Sequence, residues 1–255
     1  MMKKVFHSLI IVVMATFLTV GVFAQEMNND AGKRYNEGNK LLKEGKYSDA
    51  VVKYDSALTF QKDYRIFYQK GLALKKQGQF QQALDAFEQS VNQKTDFAAG
   101  YNALGGVYYA LGKYDSAVVH FEKVLTFVKN DDVKQKIQEN MAYAYAKLGV
   151  GADEAGEPQK AIEYLEKAVN NSNYDAAYLT LAKAYTEVGD NDKAISAGEK
   201  ALKYKSTISS GGPYYYMGVA YKNKGDMTKA KEMFNKAKSD ATYKKLSEYE
   251  LKVME

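Results

Sequence analysis

The sequence predicts an all-α solenoid built from repeated helical hairpins. Three observations carry that prediction: a pattern recurring six times with a period near 34 residues, an alanine at a matched place in every copy, and a glycine between the two halves of each copy. The copies read YNEGNKLLKEGKYSDAVVKYDSAL from Tyr35, YQKGLALKKQGQFQQALDAFEQSV from Tyr68, NALGGVYYALGKYDSAVVHFEKVL from Asn102, LTLAKAYTEVGDNDKAISAGEKAL from Leu179 and YYMGVAYKNKGDMTKAKEMFNKAK from Tyr215. A further copy is split between ENMAYAYAKLG from Glu139 and EPQKAIEYLEKAV from Glu157. The matched alanines are Ala50, Ala83, Ala117, Ala161, Ala194 and Ala230, at spacings of 33, 34, 44, 33 and 36.

Each element of the unit has a physical reason. A small residue in the first helix (Gly38, Gly71, Gly105, Ala142, Ala182, Gly218) lets the second helix approach closely, and the alanine series sits opposite it. A glycine closes the first helix, where a positive φ is required: Gly45, Gly78, Gly112, either Gly149 or Gly156, Gly189 and Gly225. Aromatic side chains such as Tyr47 and Tyr54, Phe80 and Phe87, or Tyr114 and Phe121 fill the space between units. This pattern resembles the tetratricopeptide repeat (TPR) family from about residue 31 to residue 240. The resemblance implies a right-handed superhelix of six helix-turn-helix units whose first helices line a concave groove.

Departures from the family pattern mark particular places. No copy ends with the family's usual proline. Gly198 stands where other copies carry a large side chain, which predicts a loosely packed fifth unit and a helix cost of about 1 kcal/mol relative to Ala. The fourth copy holds a surplus read at Val150–Gly156, either two more helical turns or a protruding loop, before Pro158 opens its second helix. Ser209–Gly212 lengthens the link to the sixth copy and offers a hinge.

The two ends differ from the middle. Residues 1–24 pair a basic start (Lys3, Lys4) with an apolar run from Leu9 to Val20 and a Val22-Phe23-Ala24 exit, the signature of a cleaved export signal across a bacterial-type inner membrane. A retained anchor is the alternative. Cleavage would start the mature chain at Gln25, with residues 25–30 a short linker and no membrane span left. Residues 241–255 put Tyr243, Leu246, Tyr249 and Val253 on one face, as expected of a helix capping the last unit.

The composition excludes most chemistry. The chain has no Cys and two His, so thiol nucleophiles and cysteine metal sites are absent. His120 lacks a second imidazole and reads as an outward-facing surface residue. Asp190-Asn191-Asp192 lacks the central glycine and closing glutamate of a calcium loop and coincides with a helix cap. The Asn170-Asn171-Ser172 glycosylation triplet is weak alone. No catalytic residue, cofactor or metal is expected, and lysines interspersed with acidic residues argue against nucleic acid.

The expected function is protein–protein interaction by a periplasmic or secreted scaffold. The family's groove positions hold Tyr35, Asn39, Arg65, Tyr68, Leu72, Asn102, Tyr109, Tyr143 and Tyr215 here, with Glu139, Thr180, Lys183 and Tyr216 beside them. These rings serve equally well as interface anchors or as packing between helices. Of the carboxylate-gripping set used by chaperone-binding members, Asn39 matches, whereas Tyr35, Gln69, Ala99 and Ala103 replace the rest. A glycan- or peptidoglycan-binding accessory and a subunit of an envelope assembly are the alternative readings.

Overall fold

The computed structural model describes residues 26–255; the export-signal reading lies outside the described residues. Among the described residues there are thirteen α-helices and no strand. They form six antiparallel hairpins in chain order: α1 (Asn29–Lys43) with α2 (Tyr47–Phe60), α3 (Tyr64–Lys76) with α4 (Phe80–Gln93), and α5 (Ala98–Ala110) with α6 (Tyr114–Leu125). Then come α7 (Asp131–Glu154) with α8 (Pro158–Asn171), α9 (Asp175–Glu187) with α10 (Asn191–Lys203), and α11 (Gly211–Asn223) with α12 (Met227–Ala237). The thirteenth, α13 (Lys244–Val253), closes the array. First helices of neighbouring hairpins touch one another, notably α9 with α11 and α7 with α9, which places the odd-numbered helices on the inside of the curve.

Local chemistry sets the hairpin ends. Gly45, Gly78, Gly112, Gly156, Gly189 and Gly225 all adopt φ between +73° and +82°, the left-handed conformation that ends a helix without a β-carbon penalty. Asn28 and Asn130 cap α1 and α7 by accepting from the backbone N–H of Ala31 (2.8 Å) and Val133 (3.0 Å).

Between the two helices of five of the six hairpins, one glycine receives one large side chain. A β-carbon on Gly38, Gly71 or Gly105 would lie 2.6 Å from the ring of Tyr54, Phe87 or Phe121 respectively, and one on Gly218 would lie 2.8 Å from Phe234. In the fourth hairpin the partners are Gly149 and Leu165, at 2.5 Å. This corrects the expected register: the small residue there is Gly149, not Ala142, and the turn glycine is Gly156. The surplus is therefore not at Val150–Gly156. It extends the start of α7, which has 24 residues against 13 in α5, and it is helix throughout.

Three further expectations are overturned. The space beside Gly198 is filled by Met217 from α11, in direct contact, so the fifth hairpin is closely packed. Ser209–Gly212 is not a hinge. Buried Asp175 accepts hydrogen bonds from the backbone N–H groups of Ser206 (2.7 Å), Thr207 (2.6 Å) and Ile208 (3.1 Å) and from the Thr207 hydroxyl (2.8 Å). Gly211 then packs on the Asp240 side chain, while a β-carbon on Gly212 would meet the Tyr243 hydroxyl at 2.9 Å. His120 does not face outward freely. Its half-buried ring stacks on Tyr108 (5.0 Å, 7°) and lies 6.2 Å from Tyr101, and burial pulls its pKa down.

The terminal helix also turns differently from its apolar pattern. Tyr243 and fully buried Ser247 face the last hairpin, and Glu250 pairs with Lys222 (2.6 Å). Leu246, Tyr249 and Val253 are 48%, 66% and 58% exposed.

Candidate functional site

The inner face opens into a trough between α3, α5 and α7. Its cavity measures about 320 Å³ and is lined by Tyr68, Leu72, Asn102, Tyr109 and Tyr143, five of the nine residues expected to form the groove. Lys75, exposed Ala99, Ala103, Gly106, Phe121 and Asn140 complete it. A smaller cavity of about 70 Å³ continues along α7 and α9, sharing Tyr109 and Tyr143 and adding Ala146, Lys147, Val150, Tyr174, Ala176, Ala177 and Thr180. One wall of both is a single face of α7, on which Asn140, Tyr143, Lys147 and Val150 recur at three- and four-residue spacing. The α5–α7 pair is looser than α7–α9 or α9–α11, which leaves room for the opening.

The tyrosines divide into walls and rims. Tyr68 packs edge-on against Phe97 (5.1 Å, 84°) and beside Phe87 (5.8 Å), so it holds the helices together as well as facing the trough. Tyr109 meets Tyr114 at 5.2 Å, and Tyr143, 42% exposed, meets Tyr174 edge-on at 4.9 Å. Burial raises the pKa of Tyr68, Tyr109 and Tyr174, so their hydroxyls stay protonated and available to donate at neutral pH. Lys75 Nζ lies 3.5 Å from where a β-carbon on Gly106 would sit, so its ammonium projects into the trough.

Four expected groove residues lie elsewhere. Tyr35 packs against Tyr54 (6.2 Å), and Asn39 accepts a hydrogen bond from the Tyr54 hydroxyl (2.8 Å) in the first hairpin. Arg65 pairs with Asp63 (2.7 Å) at the start of α3 and lies over the Tyr64 ring. Tyr215 sits with Phe234 (5.7 Å) and Tyr243 (5.5 Å) beneath the terminal helix. Between that cluster and the trough, the Asp153–Lys183 pair (2.6 Å) bridges α7 and α9.

Sequence reasoning missed Lys75, Asn140, Lys147 and Tyr174. The first had a signal, because Lys75 follows Gly71 at the same offset as Tyr109 follows Gly105. Among the described residues no group of three or more His, Cys, Asp or Glu could hold a metal ion.

A curved stack of helical hairpins with a solvent-open trough on its inner face defines an α-solenoid repeat protein. The chain belongs to the tetratricopeptide repeat family: three models of that repeat match residues 64–96 and 213–239, 96–173, and 146–213. It is 26% identical to a TPR repeat-containing protein of Methanocaldococcus jannaschii, over 78% of this chain and 36% of that one. It is also 26% identical to human DnaJ homolog subfamily C member 3, over 78% of this chain and 41% of that one. The chain thus spans well under half the length of both relatives. Among solved structures its fold is similar to that of YrrB, a TPR protein with an unusual peptide-binding site, with a TM-score of 0.52, 20% identity and coverage of 78% of this chain and 97% of that one.

Proposed function

We propose that this chain is a non-enzymatic binding protein of the bacterial cell envelope, exported by its N-terminal segment, that holds a segment of a protein partner in the α3–α5–α7 trough. The observation that carries the reading is the trough itself. Tyrosines, asparagines and a lysine from three successive first helices converge on one open cavity, a mixture that packs against side chains and hydrogen-bonds a peptide backbone. A peptide-binding site in the similar YrrB structure supports the class of ligand. The tilted and edge-on contacts of Tyr109 and Tyr143 with neighbouring tyrosines favour a peptide over a sugar, which stacks on an open ring face. Export rests on the basic start, apolar run and small-residue exit of residues 1–24.

The absence of cysteine makes the test clean. Ala99→Cys puts one thiol in the trough, and Val119→Cys puts one on the outer face of α6, where Val119 is 61% exposed. With a thiol-directed photo-cross-linker in envelope extract, Ala99→Cys should give a discrete adduct and Val119→Cys none. Adducts from Val119→Cys alone would move the interaction to the outer face. Intact mass of the chain recovered outside the cytoplasm should begin at Gln25; retention of Met1–Ala24 there would refute cleavage.

A further inference from the structure

We infer that this chain associates with a second copy of itself through its outer face, α6 of each copy lying in the groove between α8 and α10 of the other. That groove is a cavity of about 410 Å³ floored by Tyr178, Leu181 and Tyr185 of α9. Lys193, Ser196, Ala197 and Lys200 form its α10 wall. Other hairpins of the chain fill the corresponding space from within. Three residues past the matched alanine stand His120 in the third hairpin, stacked on Tyr108, and Met233 in the sixth, buried beside Tyr214 and Tyr221. The fifth hairpin has Ala197 there, and the groove is open.

The charges differ in the same way. Lys229 and Lys236 hold in α12 the places of Lys193 and Lys200 in α10, and all four ammoniums lie over tyrosine rings. In α12 Lys229 pairs with Asp226 (3.2 Å) and Lys236 with Glu232 (2.7 Å). In α10 Ser196 stands in the place of Glu232. Among the described residues Lys200 forms no ion pair, and Lys193 reaches Asp190 only at 3.5 Å. The Glu166 carboxylate on the α8 wall is engaged by the Tyr185 hydroxyl at 2.5 Å. The groove therefore suits one apolar side chain flanked by two carboxylates on a helix. The outer face of α6 displays that set. Asp115, Val119 and Glu122 are all exposed, Val119 at 61%, and repeat the four- and three-residue spacing of Lys193, Ala197 and Lys200. Glu122 accepts a 3.4 Å hydrogen bond from Tyr145, and among the described residues neither acid forms an ion pair. A two-fold axis parallel to the helices lays α6 along α10 in the same direction. Asp115 then meets Lys193, Val119 enters over Ala197, and Glu122 meets Lys200, once in each direction. The groove between α2 and α4, with Ala86 at the matching place, is already balanced, since Lys70 and Asp55 in its lining pair at 2.5 Å.

A contact this small makes a weak dimer, populated in concentrated protein and silent in dilute extract. Sedimentation equilibrium of the chain from Gln25, run from about 10 μM to about 1 mM, should show a reversible dimer with a Kd on the order of 100 μM. Lys193→Glu with Lys200→Glu should be monomeric, and so should Asp115→Lys with Glu122→Lys, circular dichroism confirming that each is folded. An equimolar mixture of the two double variants should dimerise again, because each acidic stripe then faces a basic one. Adding the groove-filling Ala197→Trp to both double variants should prevent that recovery. In concentrated protein Val119→Cys mixed with Ser196→Cys should form a disulfide-linked pair. Val52→Cys, 65% exposed on α2, should form none with Ser196→Cys. A monomer across the whole range, a dimer surviving either double variant, or a mixture that stays monomeric overturns the inference. Recovery despite Ala197→Trp, or equal linking through Val52→Cys, overturns it too. The trough takes no part in the contact, so none of these results bears on peptide binding.

Discussion

Asp175 shows how much one residue can fix. Burial alone would raise its pKa, but the donors of Ser206, Thr207 and Ile208 outweigh that and hold its carboxyl well below the usual carboxylate range. Asparagine offers one acceptor oxygen in place of two and turns an amide N–H toward those donors. Asp175→Asn should therefore cost about 3 kcal/mol in urea unfolding at pH 7. Because the folded pKa is lowered, this stabilisation is present above about pH 4 and lost as the pH falls below it. The gap between wild type and Asp175→Asn should narrow in acid; a constant gap would mean the loop is held by something else. His120 works in the same direction at higher pH. Its folded pKa is depressed by burial between Tyr101 and Tyr108, so its protonation below about pH 6.5 favours the unfolded chain. His120→Phe should remove that part of the pH dependence, read as melting temperature across pH 5 to 7.

At the scale of elements, the corrected register of α7 makes paired predictions. Gly149→Ala forces a β-carbon to within 2.5 Å of Leu165, whereas Gly151, two residues on and exposed on the opposite face, has nothing within 4 Å. Gly149→Ala should destabilise by about 1–3 kcal/mol, and Gly151→Ala should stabilise by up to about 1 kcal/mol. Equal effects in chemical denaturation would refute the register. Likewise Leu246→Ser with Tyr249→Ser should change stability by no more than about 0.5 kcal/mol each, since both side chains face solvent, while Tyr243→Ala should cost several-fold more. The hairpins themselves were legible in the sequence, because a positive φ after a helix nearly demands glycine and five of the six turn glycines were unambiguous. In the fourth hairpin Gly149 and Gly156 competed for the role, and the positive φ of Gly156 together with the contact between Gly149 and Leu165 separates them. The face of α13 was misread because a serine, Ser247, is the buried residue and the apolar stripe is not. Five groove residues were legible from family position alone; Asp175 was not, since its partners lie more than 30 residues away with no local signature.

At the scale of the molecule, each hairpin packs on itself and on its immediate neighbours, so stability is distributed along the array. The middle hairpins have partners on both sides, and the last depends on Tyr243, which precedes α13, and on Glu250 within it. Removing residues 241–255 should expose Tyr215 and Tyr216 and loosen α11 and α12 first. Hydrogen exchange should speed up in those two helices and leave α3 to α6 protected; uniform acceleration would show a single cooperative unit. The length of α7 has a mechanical consequence for the trough. At 24 residues it is a rod of about 36 Å, and its surplus of about three turns keeps Ile137 and Met141 packed in the same cluster as Phe121 and Val124. It acts as a splint across the third and fourth hairpins, so thermal bending of the superhelix is displaced to joints on either side. The α5 and α7 walls of the trough are thereby held at a set separation, while the α3 wall lies across the first joint, so a segment of the proposed kind would spend its ordering cost on that wall alone.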